Sequence, residues 1–104
     1  MKKRLTELEQ IILGLVIVSK TATVKEIKFM LKIKFFTNIT EGTIYRVCNQ
    51  LQKKSLVEYS LGLNEKGNLH KLFTATKTGQ LKYVATMQPV ISLYENCLKV
   101  EAKE

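Results

Sequence analysis

The chain has 104 residues, 45% of them hydrophobic and 25% charged, which is the composition of one folded globular domain. Seventeen Lys and Arg residues against nine Asp and Glu residues give a net charge of +8, which favours a polyanionic partner such as nucleic acid. One histidine, no paired carboxylates and no glycine-rich phosphate loop argue against an enzyme. We expect no cofactor and no metal, because His70, Cys48 and Cys97 have no second ligand at metal spacing.

The beginning of the chain does not have the pattern of a secretory signal. Lys2, Lys3 and Arg4 are basic, but polar residues follow where the apolar core of such a signal should begin. The apolar run of residues 11–18 is too short to cross a bilayer. We therefore expect a cytoplasmic protein without a membrane partner, in which the two cysteines stay reduced.

Two capping boxes predict the first two helices. Thr6 with Glu9 predicts a helix over about residues 7–19, and Thr23 with Glu26 predicts one over about 24–33. The buried side of the first helix is predicted to consist of Leu8, Ile11, Ile12, Leu15, Val16 and Val18. The second helix is predicted to bury Ile27, Met30 and Leu31 and to present Lys25, Lys28 and Lys32 to a DNA backbone or to solvent.

Thr40 predicts the start of a third helix over about residues 41–54, with a narrow apolar stripe at Ile44, Val47, Cys48 and Leu51. The opposite side carries long hydrogen-bonding side chains, which suit base edges in the major groove but also a merely solvated surface. The residues predicted to bind DNA here are Thr40, Gly42, Thr43, Tyr45, Arg46, Asn49, Gln50 and Lys53. Gly42 either lets a phosphate approach the backbone or relieves a crowded helix crossing.

The apolar period changes to two after Lys54, which predicts a hairpin. Its first strand should bury one side at Val57, Tyr59 and Leu61, and residues 69–75 should form the returning strand. A hairpin directly after the third helix is the wing of a winged helix-turn-helix. The residues predicted to contact DNA at or near its tip are Lys66, Asn68, His70 and Lys71.

Thr76 predicts the start of a last helix at about Lys77. Its apolar residues follow the 3-4-3-4 spacing of a coiled-coil seam and predict a two-fold homodimer; they are Val84, Met87, Ile91, Tyr94 and Leu98. The alternative is that this stripe packs on the first helix of the same chain. Pro89 is expected to kink the helix. The predicted division is a DNA-binding domain at 1–76 and a dimerisation helix at 77–104.

Three blocks of the sequence resemble the PadR family of bacterial transcriptional regulators. Residues 12–16 (ILGLV) resemble its ILGLL block, and residues 41–46 (EGTIYR) with 51–58 (LQKKSLVE) resemble its PGTLYRxLxxLEKKGLIE block. Residues 73–79 (FTATKTG) resemble its YxLTxxG block. The sequence departs from these blocks at Glu41 for Pro, Cys48 for Leu, Ser55 for Gly and Ala75 for Leu.

This resemblance implies an α+β, mainly helical fold, namely a winged helix-turn-helix of three helices and a two-stranded wing with a C-terminal dimerisation helix. It also implies a homodimeric repressor that binds double-stranded DNA at half-sites about one helical turn apart. Some members bind flat aromatic compounds against a Trp, which this chain lacks, so a small-molecule effector stays unidentified. The alternative is a winged-helix protein-interaction module without sequence-specific DNA binding. Eleven basic and four acidic residues in 1–54, a net charge of +7, favour DNA.

Overall fold

The computed structural model describes residues 5–88, so that Pro89, Cys97 and the predicted seam residues Ile91, Tyr94 and Leu98 lie outside the described part of the chain. The elements are α1 (Glu7–Ser19), α2 (Val24–Phe35), α3 (Glu41–Lys53), β1 (Val57–Leu63), β2 (Leu69–Ala75) and α4 (77–88). The predicted helices are confirmed within residues 5–88; α2 ends two residues later than predicted and α3 one residue earlier. Within residues 5–88 no helix is long and apolar enough to span a membrane.

Threonine caps begin all four helices of the described residues, as predicted. Thr6 and Thr23 each accept a hydrogen bond from the backbone N–H of the Glu three residues later, and that Glu accepts one in return from the threonine backbone. Thr40 Oγ1 accepts from the N–H of Thr43 at 3.2 Å, and Thr76 Oγ1 accepts from the N–H of Gly79 at 2.9 Å. These bonds satisfy N–H groups that have no partner inside a helix.

The core lies between α1, α2, α3 and the base of the hairpin. Ile12, Ile27, Ile44 and Phe73 are fully buried in it. The prediction that Val18 is buried was wrong, because its side chain is 75% exposed. Residues 11–18 are almost all apolar, so the sequence pattern does not show which side of α1 the other elements cover.

The hairpin is antiparallel, with Val57 opposite Ala75 and Tyr59 opposite Phe73. Ala22, between α1 and α2, exchanges backbone hydrogen bonds of 3.0 and 2.8 Å with Phe73 and so joins the hairpin to the helices. Burial of Val57 is confirmed, but burial of Tyr59 and Leu61 is wrong, since both are exposed. The two strands extend beyond the helices, and no element covers their outer half among the described residues.

The turn from α3 into β1 contains Ser55, where the PadR pattern has Gly. Ser55 has φ 61°, a left-handed conformation that glycine adopts most easily. Its carbonyl accepts a hydrogen bond of 2.7 Å from Thr76 Oγ1. A side chain at Gly79 would collide with the carbonyl of Leu56, so the start of α4 packs tightly on this turn. The junction therefore keeps the left-handed backbone for which glycine is suited, although the residue is serine.

Helix α4 packs on α1 of the same chain. The ring of Tyr83 lies so close to Gly14 that a Cβ there would be 2.7 Å from the tyrosine hydroxyl oxygen. Val84 is exposed, whereas Met87 is half-buried and lines a cavity of about 480 Å³ with Ile11 and Phe35. Tyr83 thus provides the contact with α1, while the described residues leave Val84 exposed.

Candidate nucleic-acid interface

One line of exposed side chains runs along the outer side of α3. Gly42, Arg46, Asn49 and Lys53 follow the spacing i, i+4, i+7, i+11, which keeps residues on one side of a helix, and all four are exposed. The stripe of Ile44, Val47, Cys48 and Leu51 is buried on the other side, as predicted. Within residues 5–88 the only ion pair joins Lys54 and Glu9, so no protein carboxylate neutralises Arg46 or Lys53 there.

The remaining predicted residues of α3 lie beside this line. Gln50 is exposed and Thr43 half-buried on one flank. The Thr43 hydroxyl oxygen accepts a hydrogen bond of 3.0 Å from the Thr40 hydroxyl, and the Thr40 oxygen also caps the helix. Tyr45 lies on the other flank, where its ring makes an edge-to-face contact with Phe73 at 6.3 Å between centroids. Tyr45 therefore faces the hairpin, with part of its ring exposed.

Cys48 belongs to the core and not to the interface. Burial raises the pKa of its thiol to about 12, so the thiol is neutral at physiological pH. A neutral, buried thiol neither contacts DNA nor reacts readily. Within residues 5–88, no group of three side chains is arranged to hold a metal ion.

Gly42 lies in the first turn of α3 with open space around it. Apart from its two chain neighbours and the backbone of its own helix, no atom lies within 4 Å of the position that a Cβ would take. The interpretation of Gly42 as relief for a crowded helix crossing is therefore wrong within the described chain. A close approach by a ligand to the backbone at the helix N-terminus is the interpretation that stays open.

Replacing Gly42 with Ala should show whether this glycine is needed for folding or for DNA binding. The variant should be as stable as the wild type or more so, by up to about 1 kcal/mol, because alanine favours a helix and meets no atom here. Its affinity for DNA should fall, because the methyl group would occupy the space that a phosphate needs. Thermal unfolding and a DNA titration of the same samples test both statements; unchanged affinity would contradict a phosphate at Gly42.

The tip of the hairpin is built around Asn64. Its side-chain oxygen accepts hydrogen bonds of 2.9 Å from the N–H groups of both Lys66 and Asn68. Gly67 adopts φ 80°, which the turn requires and which glycine allows. The side chains of Lys66 and Asn68 are exposed at this tip, where they were predicted.

His70 and Lys71 lie further down the wing, on opposite sides of it. His70 is opposite Gly62, with its Nε2 3.4 Å from the position of a Cβ there. Lys71 lies on the side that faces α3, with Nζ 4.3 Å from the ring centre of Tyr59 and 5.9 Å from that of Tyr45. The structure brings Lys71 to α3 but not His70. The sequence analysis assigned Tyr59 to the core; the pairing register is the signal that places it beside Lys71.

Among the comparisons with known proteins, the one with solved structures identifies the fold. No family model and no curated protein matches the sequence. Among solved structures, a PadR-like transcription factor from Bacteroides fragilis is 22% identical with a TM-score of 0.73, over 89% of this chain and 88% of that one. A PadR-like transcriptional regulator from Bacillus cereus is 26% identical with a TM-score of 0.67, over 88% and 90% of the two chains.

Bacillus subtilis PadR in complex with operator DNA is 18% identical with a TM-score of 0.70. The match covers 79% of this chain but only 48% of that protein. The order of helices, the two-stranded wing and the exposed side of α3 define a winged helix-turn-helix protein. Its fold is that of the PadR-like transcriptional regulators, which confirms the resemblance seen in the three sequence blocks.

Proposed function

We propose that this protein is a sequence-specific DNA-binding transcriptional regulator that acts as a homodimeric repressor in the cytoplasm. The observation that carries the proposal is the exposed line of Gly42, Arg46, Asn49 and Lys53 on α3, which no protein carboxylate neutralises within residues 5–88. A PadR of the same fold is described in complex with operator DNA, which supports the same kind of partner here.

In this proposal α3 enters the major groove and each exposed residue has a distinct role. Arg46 pairs with guanine and Asn49 or Gln50 with adenine, each pair worth about 1–3 kcal/mol of discrimination. The Thr40 and Thr43 hydroxyls, the Gly42 amide and Lys53 bind phosphates and so set the position of the helix on the duplex. Lys66 and Asn68 at the wing tip extend the contact to the backbone or the minor groove.

The homodimer is proposed to form through residues 77–104, with residues 1–76 of each copy binding one half-site. Val84 is exposed and Met87 borders the cavity beside α1, so both are available to a second copy. The same spacing continues at Ile91, Tyr94 and Leu98 outside the described residues. A two-fold dimer would present two α3 helices to a pseudo-palindromic operator.

One observation favours the alternative, a winged-helix protein-interaction module. Phe29, Ile33 and Phe36 are exposed large hydrophobic residues on and just after α2, and Phe36 is 91% exposed. Exposed hydrophobic side chains that lie close together often mark a protein contact. In that case the affinity for DNA should be weak and should not depend on its sequence.

The test compares a fragment from upstream of the protein's own gene with random DNA of equal length over a salt series. Arg46→Ala should weaken binding to the specific fragment about 10- to 100-fold, since it removes one bidentate base contact. Arg46→Lys should keep most of the affinity for random DNA but lose specificity, because lysine keeps the charge without the paired donors.

Lys77→Ala is the matched control, since it removes one exposed charge from the start of α4 and should leave specificity unchanged. Equal affinity of the wild type for both fragments would contradict sequence-specific binding. Absence of binding to either fragment would favour the interaction module. Sedimentation of the same samples tests the dimer, and a monomer at micromolar concentration would contradict it.

A further inference from the structure

The ammonium group of Lys71 lies in the cleft between α3 and the wing, next to two tyrosine rings. Its Nζ is 4.3 Å from the ring centre of Tyr59, and the ring centre of Tyr45 is 5.9 Å away. Both distances are within the range in which the negative face of an aromatic ring attracts a cation. Tyr59 belongs to the wing and Tyr45 to α3, so the lysine lies where the two elements meet.

We propose that Tyr59 is a positioning residue that holds Lys71 in this cleft for a DNA backbone phosphate. The phosphate site is then shared between α3 and the wing, and its charge comes from Lys71. This inference rests on the proposed function. It adds Tyr59 to the residues on which DNA binding depends; Tyr59 acts through its ring and makes no base contact of its own.

The strand pairing explains why the two side chains meet. Tyr59 is opposite Phe73 and Lys71 is opposite Leu61, so all four lie on one side of the hairpin. Tyr59 and Lys71 are therefore diagonal neighbours across the two strands, a separation that long and aromatic side chains span.

The tyrosine rings are themselves held in place by the core. Phe73 is fully buried, and its ring centre is 6.3 Å from that of Tyr45 and 6.4 Å from that of Tyr59. One buried ring thus packs against both tyrosines. Tyr45 is 38% exposed and Tyr59 43% exposed, which leaves the cleft open to solvent.

The contacts that hold Lys71 leave its positive charge free to bind an anion. A salt bridge would neutralise the ammonium group, but within residues 5–88 the only ion pair is between Lys54 and Glu9. The faces of two neutral tyrosines restrict the side chain without cancelling its charge. Such an arrangement suits an anion that arrives from outside, because no carboxylate of residues 5–88 pairs with the ammonium group.

The experiment uses the full chain with Tyr59→Leu, Tyr59→Phe, Lys71→Met and the double variant Tyr59→Leu/Lys71→Met. Tyr59→Leu should weaken binding to duplex DNA about two- to fivefold, while Tyr59→Phe should bind like the wild type because it keeps the ring. Lys71→Met should lower the slope of log affinity against log salt by about one, as expected for one phosphate contact. In the Lys71→Met background, Tyr59→Leu should have no further effect.

A second measurement examines the cleft without DNA. The ε-methylene protons of Lys71 should show an upfield ring-current shift in the NMR spectrum of the free wild type. Tyr59→Phe should retain this shift and Tyr59→Leu should lose it. Unfolding curves identify any variant whose affinity falls only because part of it is unfolded.

Three results would overturn the inference while leaving the proposed function in place. They are wild-type affinity in Tyr59→Leu, an undiminished effect of Tyr59→Leu in the Lys71→Met background, and a Tyr59→Phe variant as weak as Tyr59→Leu. The last would mean that the hydroxyl contacts DNA and the ring is not what matters. Absence of DNA binding by the wild type would instead overturn the proposed function, and this inference with it.

Discussion

Replacing Phe73 with Ala should lower the free energy of unfolding by about 3–5 kcal/mol, a large part of the stability of a domain of this size. The Phe73 ring is fully buried, and its removal leaves a cavity where α1, α3 and the wing meet. Tyr45 and Tyr59 would lose the ring against which both pack. We therefore expect the folded molecules of the Phe73→Ala variant to bind DNA more weakly than the folded wild type.

Phe36→Ala is the matched control, because it makes the same chemical change at a side chain that is 91% exposed. It should alter stability by no more than about 0.5 kcal/mol. Urea unfolding of both variants measures the difference in their free energies of unfolding. The comparison requires that the slope of this free energy against urea concentration be the same for both. Equal effects of the two substitutions would contradict the assignment of Phe73 to the core.

The helices could be predicted from the sequence because their signals are local. Thr6 with Glu9 and Thr23 with Glu26 are complete capping boxes within four residues. The stripe on α3 is narrow and its other side is polar, so periodicity alone separates buried from exposed residues there. The exposed positions of Arg46, Asn49 and Gln50 could therefore be predicted, whereas their contacts with DNA are still predictions.

The wing was harder to predict because its burial depends on distant elements. Alternation in β1 correctly predicts a strand, yet it does not show where the helices cease to cover it, so Tyr59 and Leu61 were misplaced. The position of Lys71 between Tyr45 and Tyr59 depends on the pairing register and on how the wing packs on α3. Neither the register nor this packing can be predicted from the pattern of residues that are neighbours in the sequence.

The ion pair between Glu9 and Lys54 has no sequence signal either, because 45 positions separate the two residues. Lys54 Nζ lies 2.8 Å from one oxygen of the Glu9 carboxylate, and the other oxygen accepts a 2.9 Å hydrogen bond from the N–H of Thr6. The Glu9 side chain is only 3% exposed. Glu9 thus caps α1 and also joins it to the residue at the end of α3.

Lys54→Met should destabilise the protein by about 2–3 kcal/mol at neutral pH, because it leaves a buried carboxylate without a counter-charge. This is less than the about 3–5 kcal/mol expected for breaking a fully buried pair, since the Lys54 side chain is 32% exposed. Glu9→Gln in the same background should recover part of the loss, because a neutral amide is less costly to bury.

The difference in unfolding free energy between the wild type and Lys54→Met should depend on pH if the substitution removes a charge pair, but not if it only removes packing. Burial raises the pKa of Glu9, but the hydrogen bond and charge of Lys54 and the hydrogen bonds with Thr6 outweigh burial, so the pKa lies below its ordinary value of 4.5. A lowered pKa in the folded state means that the pair stabilises fully above pH 4.5 and that this stability is lost as pH falls through the lowered value. The gap in unfolding free energy between wild type and Lys54→Met should therefore narrow in acid. A gap that stays constant from neutral pH to below the lowered pKa would show that Lys54 acts by packing alone, and α3 would then be joined to α1 without an electrostatic contribution.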